Sequence, residues 1–378
     1  MERSNRRILI VVNTDWGFLA YRLPIALEAL KLGWEVFVAT PDTGDAHLIK
    51  KAGLNHIPLN MSRKGLNPFY EIETIFNFWK LYRRLEPQII HHVTIKPIIY
   101  GSLVASFLNK SFVVNAISGL GYVFTSLPKN NRVRMVTTYL YKLALNRPNS
   151  KTIFQNPDDL NLFVQEGMID KSKTRLILGS GVNCSVFTPL SHKMEDILVM
   201  LPARMLFDKG IYEFVNAVTL LKPEYPKVKF ILVGRADDGN PALIPTKQLR
   251  AWEMAGLIEW WGYKRNMDEV LNMASMVVLP SYREGLPKVL LEAAACGKPI
   301  ISTNVPGCKE IVRHEINGLL IPPKDEVALA EAIRRLLDNP DFAAQLGKNG
   351  REIVQNEFSE SLEVEKTFEV YDQLLAGK

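Results

Sequence analysis

The chain has 378 residues, of which 47% are hydrophobic and 23% charged, and its formal net charge is +6. This composition is typical of a globular protein, and the length predicts two domains, because a single core rarely grows so large. The three cysteines are an odd number without metal-ligand spacing, which excludes a disulfide framework and favours a reducing compartment: Cys184, Cys296 and Cys308. The basic N-terminus precedes only the short apolar run Ile8–Val12, and no apolar stretch approaches roughly 18 residues, so we expect neither a signal peptide nor a transmembrane helix.

From Arg7 onward, short apolar segments alternate with longer amphipathic ones. The predicted strands of the first half are Ile8–Asn13, Glu35–Thr40, His56–Leu59, Gln88–Val93, Phe112–Ile117, Thr152–Gln155 and Arg175–Leu178. The predicted helices between them include Leu23–Leu32, Tyr70–Leu85, Val133–Leu145 and Asp158–Glu166. Such alternation predicts an α/β fold with a parallel, doubly wound sheet.

The alternation is interrupted near Gly179–Pro189, where GSGVNCSVFTP is rich in turn-forming residues and is followed by the polar SHKMED. We place a domain boundary there, with residues 1–185 before it and 186–360 after it. The second half then repeats the pattern, with predicted strands at Ile197–Pro202, Lys229–Gly234, Ile258–Gly262, Met276–Pro280 and Pro299–Thr303. Its predicted helices include Ile211–Leu221, Thr246–Ala255, Met267–Ala274 and Glu326–Leu337. Two Rossmann-like domains are therefore expected, with ligands beyond the carboxyl ends of the strands.

The stretch SYREGLPKVLLEAAACGKPII, Ser281–Ile301, carries two carboxylates around a predicted helix. Glu284 lies in the loop after a buried strand, and Glu292 lies about five residues past Pro287, a rise of roughly 7.5 Å along the helix that this proline opens. The two carboxylates can therefore hold separate parts of one long ligand. The backbone amides near Gly285–Lys288, at the positive end of the helix, suit a diphosphate. Together these features indicate a nucleotide-sugar.

This stretch resembles the signature of retaining glycosyltransferase family four. Two glutamates are separated by seven residues, with Gly285, Leu286 and Pro287 after the first and Gly-Lys-Pro after the helix. The resemblance implies the GT-B fold, in which two Rossmann-like domains face each other across a cleft. It also implies that a final helix within residues 361–378, predicted here at Leu362–Leu375, crosses back to the first domain.

The resemblance extends to the loops that follow other strands of the second half. In ARMLFDKG, Arg204 and Lys209 match the family's diphosphate clamp, which neutralises the charge on the leaving UDP. In FILVGRADDG, Gly234 allows close backbone approach, and Arg235 or the backbone near Tyr263 is expected to meet the uracil base. The relatives' second glycine is replaced here by Ala236, so a plain turn at the strand end is the alternative.

The first half contributes a histidine pair and a loop after its first strand. In HHVTIKPIIYG, a histidine matches the one that relatives direct toward the transferred sugar. Adjacent strand residues point to opposite faces, so only one should reach the ligand. We favour His91 as catalytic and keep His92 as the alternative, with Lys96 as a phosphate contact. Gly17 in the loop Asn13–Phe18 matches the family's closure loop beside the phosphates.

The segment NAISGLGYVF follows another strand of the first half. Asn115, Ser118, Gly119 and Gly121 form a small polar rim that would bind acceptor hydroxyls, with a simple tight turn as the alternative. The chain lacks G-x-G-x-x-G after its first strand, which argues against a nicotinamide enzyme. It also lacks H-x-E, H-E-x-x-H and Asp-x-Asp. We expect no metal and no cofactor, with Arg204, Lys209 and helix amides in the place of a cation.

The predicted substrates come from the same resemblance. HHVTIKPIIYG and the first-strand loop are most similar to bacterial N-acetylgalactosaminyltransferases and galactosyltransferases that extend lipid-diphosphate-linked sugars during surface glycan synthesis. UDP-GalNAc is the leading UDP-sugar donor, followed by UDP-Gal and UDP-GlcNAc. A UDP-sugar epimerase of the same fold and a two-lobed sugar-binding protein are the alternatives, although the match to epimerase acid/base residues is poor.

Charge is unevenly distributed along the chain. Residues 61–150 contain 12 Lys and Arg but only 3 Asp and Glu. The excess lies with two amphipathic helices that mix aromatic and basic residues, which suits the anionic cytoplasmic face of the inner membrane, each cation adding about 1 kcal/mol. A core-facing aromatic stripe under a solvated basic face is the alternative. No nucleic-acid recognition motif accompanies the charge. The cations expected to dock are Lys80, Arg83, Arg84, Arg132, Arg134 and Lys142.

Overall fold

The computed structural model consists of two parallel β-sheets, each covered by helices on both faces. It describes residues 6–61, 68–125, 128, 130–190, 196–236, 240 and 242–377. The chain divides into two compact units: Met1–Ser180 together with Leu362–Lys378 form the first, and Gly181–Ser361 form the second. The sequence analysis placed these divisions at residues 185 and 360.

The sheet of the first unit has seven parallel strands. They are β1 (Arg7–Val11), β2 (Glu35–Thr40), β3 (Asn55–Pro58), β4 (Ile89–Val93), β5 (Phe112–Ile117), β6 (Ser150–Phe154) and β7 (Thr174–Leu176). Their order across the sheet is β3-β2-β1-β4-β5-β6-β7. β4 and β5 are buried along their whole lengths, as expected where helices cover both faces of a parallel sheet.

The sheet of the second unit has six parallel strands. They are β8 (Leu198–Pro202), β9 (Lys229–Val233), β10 (Glu259–Trp260), β11 (Met276–Leu279), β12 (Ile300–Thr303) and β13 (Gly318–Ile321). The order β10-β9-β8-β11-β12-β13 reproduces the strand order of a Rossmann sheet, with its topological switch between β8 and β11. Loops that leave the carboxyl ends of these two strands therefore diverge and open a ligand site.

Helices connect the strands in chain order. Those before the second sheet are α1 (Asp15–Tyr21), α2 (Leu23–Lys31), α3 (Ala46–Lys51), α4 (Pro68–Leu85), α5 (Ser102–Leu108), α6 (Tyr122–Thr125), α7 (Arg132–Leu145) and α8 (Pro157–Gln165), with a π-helical turn at Pro97–Gly101 and a 3-10 turn at Lys171–Lys173. Those after it begins are α9 (Ile211–Leu221), α10 (Thr246–Met254), α11 (Met267–Met273), α12 (Lys288–Ala295), α13 (Glu326–Asp338), α14 (Pro340–Glu357) and α15 (Glu360–Ala376), with a 3-10 turn at Phe207–Lys209.

The helices of the first unit form two layers. One face of its sheet packs against α1, α2, α3 and α15, and residues of α15 such as Tyr371 share a core with Ile8 and Ile10. On the other face, α4 and α5 pack over Leu9 and Val11, and α7 continues the layer over Phe154. The predicted final helix is therefore part of the first unit's core.

Every predicted strand and helix is present, with ends within two residues of those expected. The α/β prediction is confirmed. The sequence analysis did not name the short helices α1, α3, α5 and α6, and it missed β13, which is only four residues long, and α14, whose interior contains Gly347 and Gly350. Glycine is a poor helix former, so α14 forms where packing requires it and local propensity does not indicate it.

A backbone contact explains one of these glycines. Gly297 follows α12 in a left-handed conformation, with φ of +70°, and α14 passes directly over it. A Cβ atom on Gly347 would overlap the carbonyl oxygen of Gly297. A Cβ atom on Gly350 would instead meet the Cβ of Ala294 at 3.5 Å, an ordinary contact. Close approach of α14 thus fixes the end of α12.

Substitution of the two glycines should therefore have opposite effects on stability. Gly347→Ala should lower the thermal unfolding midpoint, because backbone must move to admit the methyl group. Gly350→Ala lies in the same helix and should raise it, by up to about 1 kcal/mol in the free energy of unfolding, since alanine is the better helix former. Differential scanning fluorimetry and urea unfolding would measure both, and equal shifts for the two variants would contradict the packing.

Candidate active site

Two of the predicted functional side chains meet directly in the second unit. The carboxylate of Glu284 accepts a hydrogen bond from Lys209 Nζ at 2.5 Å and another from Ser281 Oγ at 2.7 Å. The Lys209 and Glu284 side chains are only 12% and 14% exposed. A buried ion pair of this kind needs additional hydrogen bonds, and Ser281 supplies one. Sequence reasoning assigned Ser281 no role, although it begins the motif that carries Glu284.

Backbone packing at the carboxyl ends of three neighbouring strands holds this pair. Gly210, with φ of +70°, lies so close to the Pro280 carbonyl oxygen that a Cβ atom would overlap it. Glu284 N donates to Pro306 O at 3.0 Å, and a Cβ atom on Gly307 would lie 2.6 Å from Glu284 O. The loops after β8, β11 and β12 are thereby joined. The position of Glu284 is a property of all three loops.

Arg204 precedes Lys209 in the loop after β8 and is partly buried. Lys209 ends the 3-10 turn Phe207–Lys209, and the Tyr282 amide donates to Asp208 O at 2.9 Å. The turn is therefore tied to the loop that carries Glu284. Both predicted clamp cations lie at the carboxyl end of β8, the strand beside the topological switch.

Helix α12 begins one residue later than predicted. Pro287 is its N-cap, with the extended ψ of 108°, and Lys288 is the first helical residue. Proline has no N–H group, so the amides that this turn offers to an anion are those around it. Leu286 is buried. The segment Gly285–Lys288 therefore lies at the start of the helix, as the sequence indicated, but Pro287 contributes no N–H donor to it.

Glu292 lies on α12, partly buried. Burial raises the pKa of its carboxyl group above the usual range, and the charge of Lys288 opposes that effect. Within the described part of the chain, its carboxylate has no hydrogen-bond or ion-pair partner. A partly desolvated carboxylate without a partner is unfavourable in the free protein, and ligand hydroxyl groups would satisfy it.

The residues predicted to meet the base are also close together. The Arg235 guanidinium lies over the Tyr263 ring, 5.6 Å from its centroid. Gly234 has φ of +147°, and a Cβ atom there would overlap the Ala203 carbonyl oxygen. Glycine is therefore required at this strand end for close packing of the loops after β8 and β9.

In the first unit, the two histidines of β4 point to opposite faces of the sheet, as predicted. His91 Nδ1 lies 2.5 Å from the Tyr371 hydroxyl of α15. His92 Nε2 lies 2.6 Å from the Tyr82 hydroxyl of α4, and its Nδ1 lies 3.0 Å from Asn115 Oδ1. Burial lowers the pKa of His91 well below its usual range and that of His92 to about 3. Both imidazoles are therefore neutral.

Two acceptor predictions need correction. His92 is completely buried and both ring nitrogens have protein partners, so it is part of the core. Asn115 lies inside β5, not on a rim after it, and is also completely buried, with Ser102 Oγ donating to its Oδ1 at 3.0 Å. Both residues lie within strands that the sequence analysis itself predicted, Gln88–Val93 and Phe112–Ile117, and side chains within a strand covered on both faces are buried. His91 is buried to the same extent, with 1% exposure, but its Nε2 has no hydrogen-bond partner among the described residues.

The remaining predicted residues of the first unit lie near strand ends. Ser118 is exposed after β5, and Gly119 has φ of +143°. Lys96 Nζ pairs with Glu71 Oε1 of α4 at 2.5 Å. Gly17 lies in the first turn of α1, where its amide donates to Thr14 Oγ1 at 3.1 Å. The predicted loop Asn13–Phe18 is therefore largely helical.

The start of α1 is held by a buried acid that the sequence analysis missed. The Asp15 carboxylate accepts the amides of Thr43, Asp45 and Trp16 at 2.7–3.0 Å. Burial acts to raise its pKa, but these hydrogen bonds, together with that from the Thr43 hydroxyl, leave it below the usual value. The segment that carries Gly17 is thereby joined to the loop after β2.

Comparison with known proteins places this geometry in a family. The family model of 4-like glycosyl transferases matches residues 7–156, and that of group 1 glycosyl transferases matches residues 186–353. An N,N'-diacetylbacillosaminyl-diphospho-undecaprenol alpha-1,3-N-acetylgalactosaminyltransferase of Campylobacter jejuni is 30% identical over 370 residues, covering 94% of this chain and 95% of the relative. The chain belongs to these glycosyltransferases. The predicted family and enzyme class are confirmed.

Other matches to this glycosyltransferase agree. A UDP-Gal:alpha-D-GlcNAc-diphosphoundecaprenol alpha-1,3-galactosyltransferase of Escherichia coli is 23% identical over 83% of both chains. A Rickettsia africae glycosyltransferase has a similar structure, with a TM-score of 0.81 at 20% identity over 99% of this chain and 100% of that one. Anabaena HepE in complex with UDP and glucose matches with a TM-score of 0.82 at 18% identity over 97% and 100%. The GT-B fold is confirmed.

The His91 contact can be tested through its partner. Tyr371→Phe removes the hydroxyl group and leaves a buried imidazole nitrogen unsatisfied, so it should lower the free energy of unfolding by about 1–3 kcal/mol. Tyr225→Phe is the control, because it removes an exposed hydrogen bond to Asp338 and should change stability by no more than about 0.5 kcal/mol. Urea unfolding gives both values. An equal loss of unfolding free energy in the two variants would show that the hydrogen bond between His91 and the Tyr371 hydroxyl does not stabilise the fold.

Proposed function

We propose that this glycosyltransferase moves N-acetylgalactosamine from UDP-GalNAc, with retention of configuration, onto a lipid-diphosphate-linked sugar in bacterial surface glycan synthesis. The observation that carries the proposal is the Lys209–Glu284–Ser281 cluster at the carboxyl ends of β8 and β11, followed along the chain by the unpartnered Glu292 carboxylate on α12. The names of the Campylobacter jejuni and Escherichia coli relatives support the donor and acceptor classes. UDP-Gal and UDP-GlcNAc are the next donors to consider.

The chemistry follows from charge. Cleavage of the sugar–phosphate bond places negative charge on the departing UDP, and fixed cations lower the energy of that state. Lys209 is neutralised by Glu284 in the free protein. A diphosphate offers Lys209 a second anion, and the planar guanidinium group of Arg204 would donate two hydrogen bonds to the same diphosphate. The Glu292 carboxylate accepts hydrogen bonds from the ribose hydroxyl groups, and Glu284 orients the transferred sugar.

The acceptor side is proposed for the first unit. Lys96 pairs with Glu71 in the free protein and would contact acceptor phosphate, while Ser118, which is exposed, and Gly119 follow the buried strand β5. Within the described ranges, none of the helices combines the length and apolarity needed to span a bilayer. We propose a peripheral location on the anionic cytoplasmic face of the inner membrane, where a lipid-linked acceptor would be met.

One predicted docking cation is placed differently by the structure. Arg134 is buried, forms an ion pair with Glu166 Oε1 at 3.0 Å and lies 5.2 Å from the Phe124 ring centroid. It therefore stabilises the packing of α7 and does not face outward. The turn of α7 directs its neighbour Arg132 to the surface instead.

The reaction class can be tested directly. Incubation with UDP-GalNAc alone and with an undecaprenyl-diphosphate-linked sugar distinguishes the alternatives, because an epimerase needs no acceptor and a binding protein produces no UDP.

The two glutamates should have different effects on kinetics. Glu292→Gln should mainly weaken UDP-sugar binding in calorimetry, since the carboxylate that it replaces holds the ribose. Glu284→Gln should lower turnover more than affinity. Wild-type kinetics in both variants would remove these residues from the site.

The proposed clamp predicts large effects on turnover without a metal requirement. Arg204→Ala and Lys209→Ala should each reduce kcat on the order of 10²-fold or more, as for other groups that stabilise developing charge. Lys227→Ala, which removes an exposed cation of the same unit, should leave kcat unchanged. EDTA should have little effect on transfer. Strict dependence on added Mg²⁺ or Mn²⁺ would overturn the metal-independent mechanism.

A further inference from the structure

The two oxygens of the Glu284 carboxylate are held unequally. Lys209 Nζ and Ser281 Oγ both donate to Oε1, at 2.5 Å and 2.7 Å. Within the described part of the chain no residue donates to Oε2, and this oxygen is not closed off from solvent. Each oxygen of a carboxylate accepts about two hydrogen bonds. The protein therefore saturates Oε1 and leaves Oε2 available to a ligand.

The two donors to Oε1 differ in how firmly the fold holds them. Ser281 is completely buried, and its backbone carbonyl accepts a hydrogen bond from the hydroxyl of Thr303, which is completely buried as well. Its short side chain has little freedom to turn away. Lys209, in contrast, carries its ammonium group at the end of a long, flexible side chain. Glu284 thus has one fixed donor and one donor that can leave.

A third polar side chain near this carboxylate cannot replace either donor. Cys308 is completely buried, and burial together with the negative charge of Glu284 raises the pKa of its thiol to about 12. The thiol therefore stays protonated and neutral. Because an S–H group is only a weak hydrogen-bond donor, Cys308 does not offset the charge of Glu284.

The ammonium group of Lys209 has more donors than its partner in the free protein uses. It offers three N–H groups, and its partner among the described residues is Glu284. A diphosphate would compete with Glu284 for this ammonium group. If Lys209 were the sole donor to the carboxylate, its departure would leave a largely buried anion without a hydrogen bond, which is costly.

We propose that Ser281 is a positioning residue, which holds the Glu284 carboxylate while Lys209 exchanges that carboxylate for the diphosphate of the nucleotide-sugar. The inference rests on the proposed function, from which it takes its ligand. Departure of Lys209 restores the full negative charge of Glu284, and Oε2 then becomes a stronger acceptor for a hydroxyl group of the transferred sugar. Binding of the diphosphate thereby prepares the site for the sugar.

Calorimetric titration with UDP alone tests the exchange. Glu284→Gln should bind UDP about tenfold more tightly than the wild type, because it removes the anion that competes with the diphosphate for Lys209. Ser281→Ala should bind UDP about tenfold more weakly, since the exchange then leaves the Glu284 charge without a hydrogen bond. Ser281→Ala combined with Glu284→Gln should bind UDP as tightly as Glu284→Gln alone, because Ser281 acts through that charge.

Ser302→Ala is the matched control. Ser302 is also a completely buried serine, but its hydroxyl donates to Leu279 O at 2.7 Å and not to Glu284. Its replacement should therefore leave the UDP affinity unchanged, even where thermal unfolding shows a loss of stability. If Ser281 merely stabilised the fold, Ser281→Ala would weaken UDP binding by the same factor with and without Glu284→Gln. That result would overturn the proposal.

The remaining outcomes separate this inference from the proposed function. Glu284→Gln that binds UDP no more tightly than the wild type would overturn the exchange alone, and this comparison does not depend on whether Ser281→Ala folds. A wild-type protein that does not bind UDP would overturn the proposed function and the exchange with it. Wild-type binding with the expected order of affinities, tightest in Glu284→Gln and weakest in Ser281→Ala, would support both.

Discussion

The ion pair between Lys209 and Glu284 is the interaction on which the candidate active site depends. Two opposite charges, each largely removed from water, are stable only when geometry and hydrogen bonding offset the loss of hydration. The Ser281 hydroxyl contributes that offset for Glu284. Because the pair joins the loop after β8 to the loop after β11, it also fixes the two loops at the topological switch, where an open parallel sheet binds its ligands.

Glycines allow this pair to form. Gly210 and Gly307 each bring backbone to a distance that a side chain would prevent, and together they join the loops after three adjacent strands. The free protein thus has a preformed arrangement with little need for reorganisation, which is the condition under which fixed charges stabilise a transition state most. Glu292 differs, because it is already partly desolvated without a partner and would gain one from ligand hydroxyls.

The first unit uses its buried polar groups for a different purpose. His92 joins α4 to β5 through Tyr82 and Asn115, and His91 joins β4 to α15 through Tyr371. A buried polar group that is hydrogen-bonded specifies one arrangement of the elements around it, since any other arrangement would leave it unsatisfied. The same layer of helices leaves Phe69 and Tyr139 exposed, so the unit combines a specific core with an apolar outer surface.

The sequence by itself determined the fold, the family and the position of the central motif. Alternating apolar runs located the strands, because each element of a doubly wound sheet is marked by local patterning, and the spacing from Glu284 to Glu292 is a property of one short segment. Only the tertiary structure decided which side chains meet. It paired Glu284 with Lys209 and Ser281, buried His92, Asn115 and Arg134, and formed α14 over Gly297. These outcomes depend on contacts between residues far apart in the chain, and strand register and helix packing set those contacts while local pattern does not.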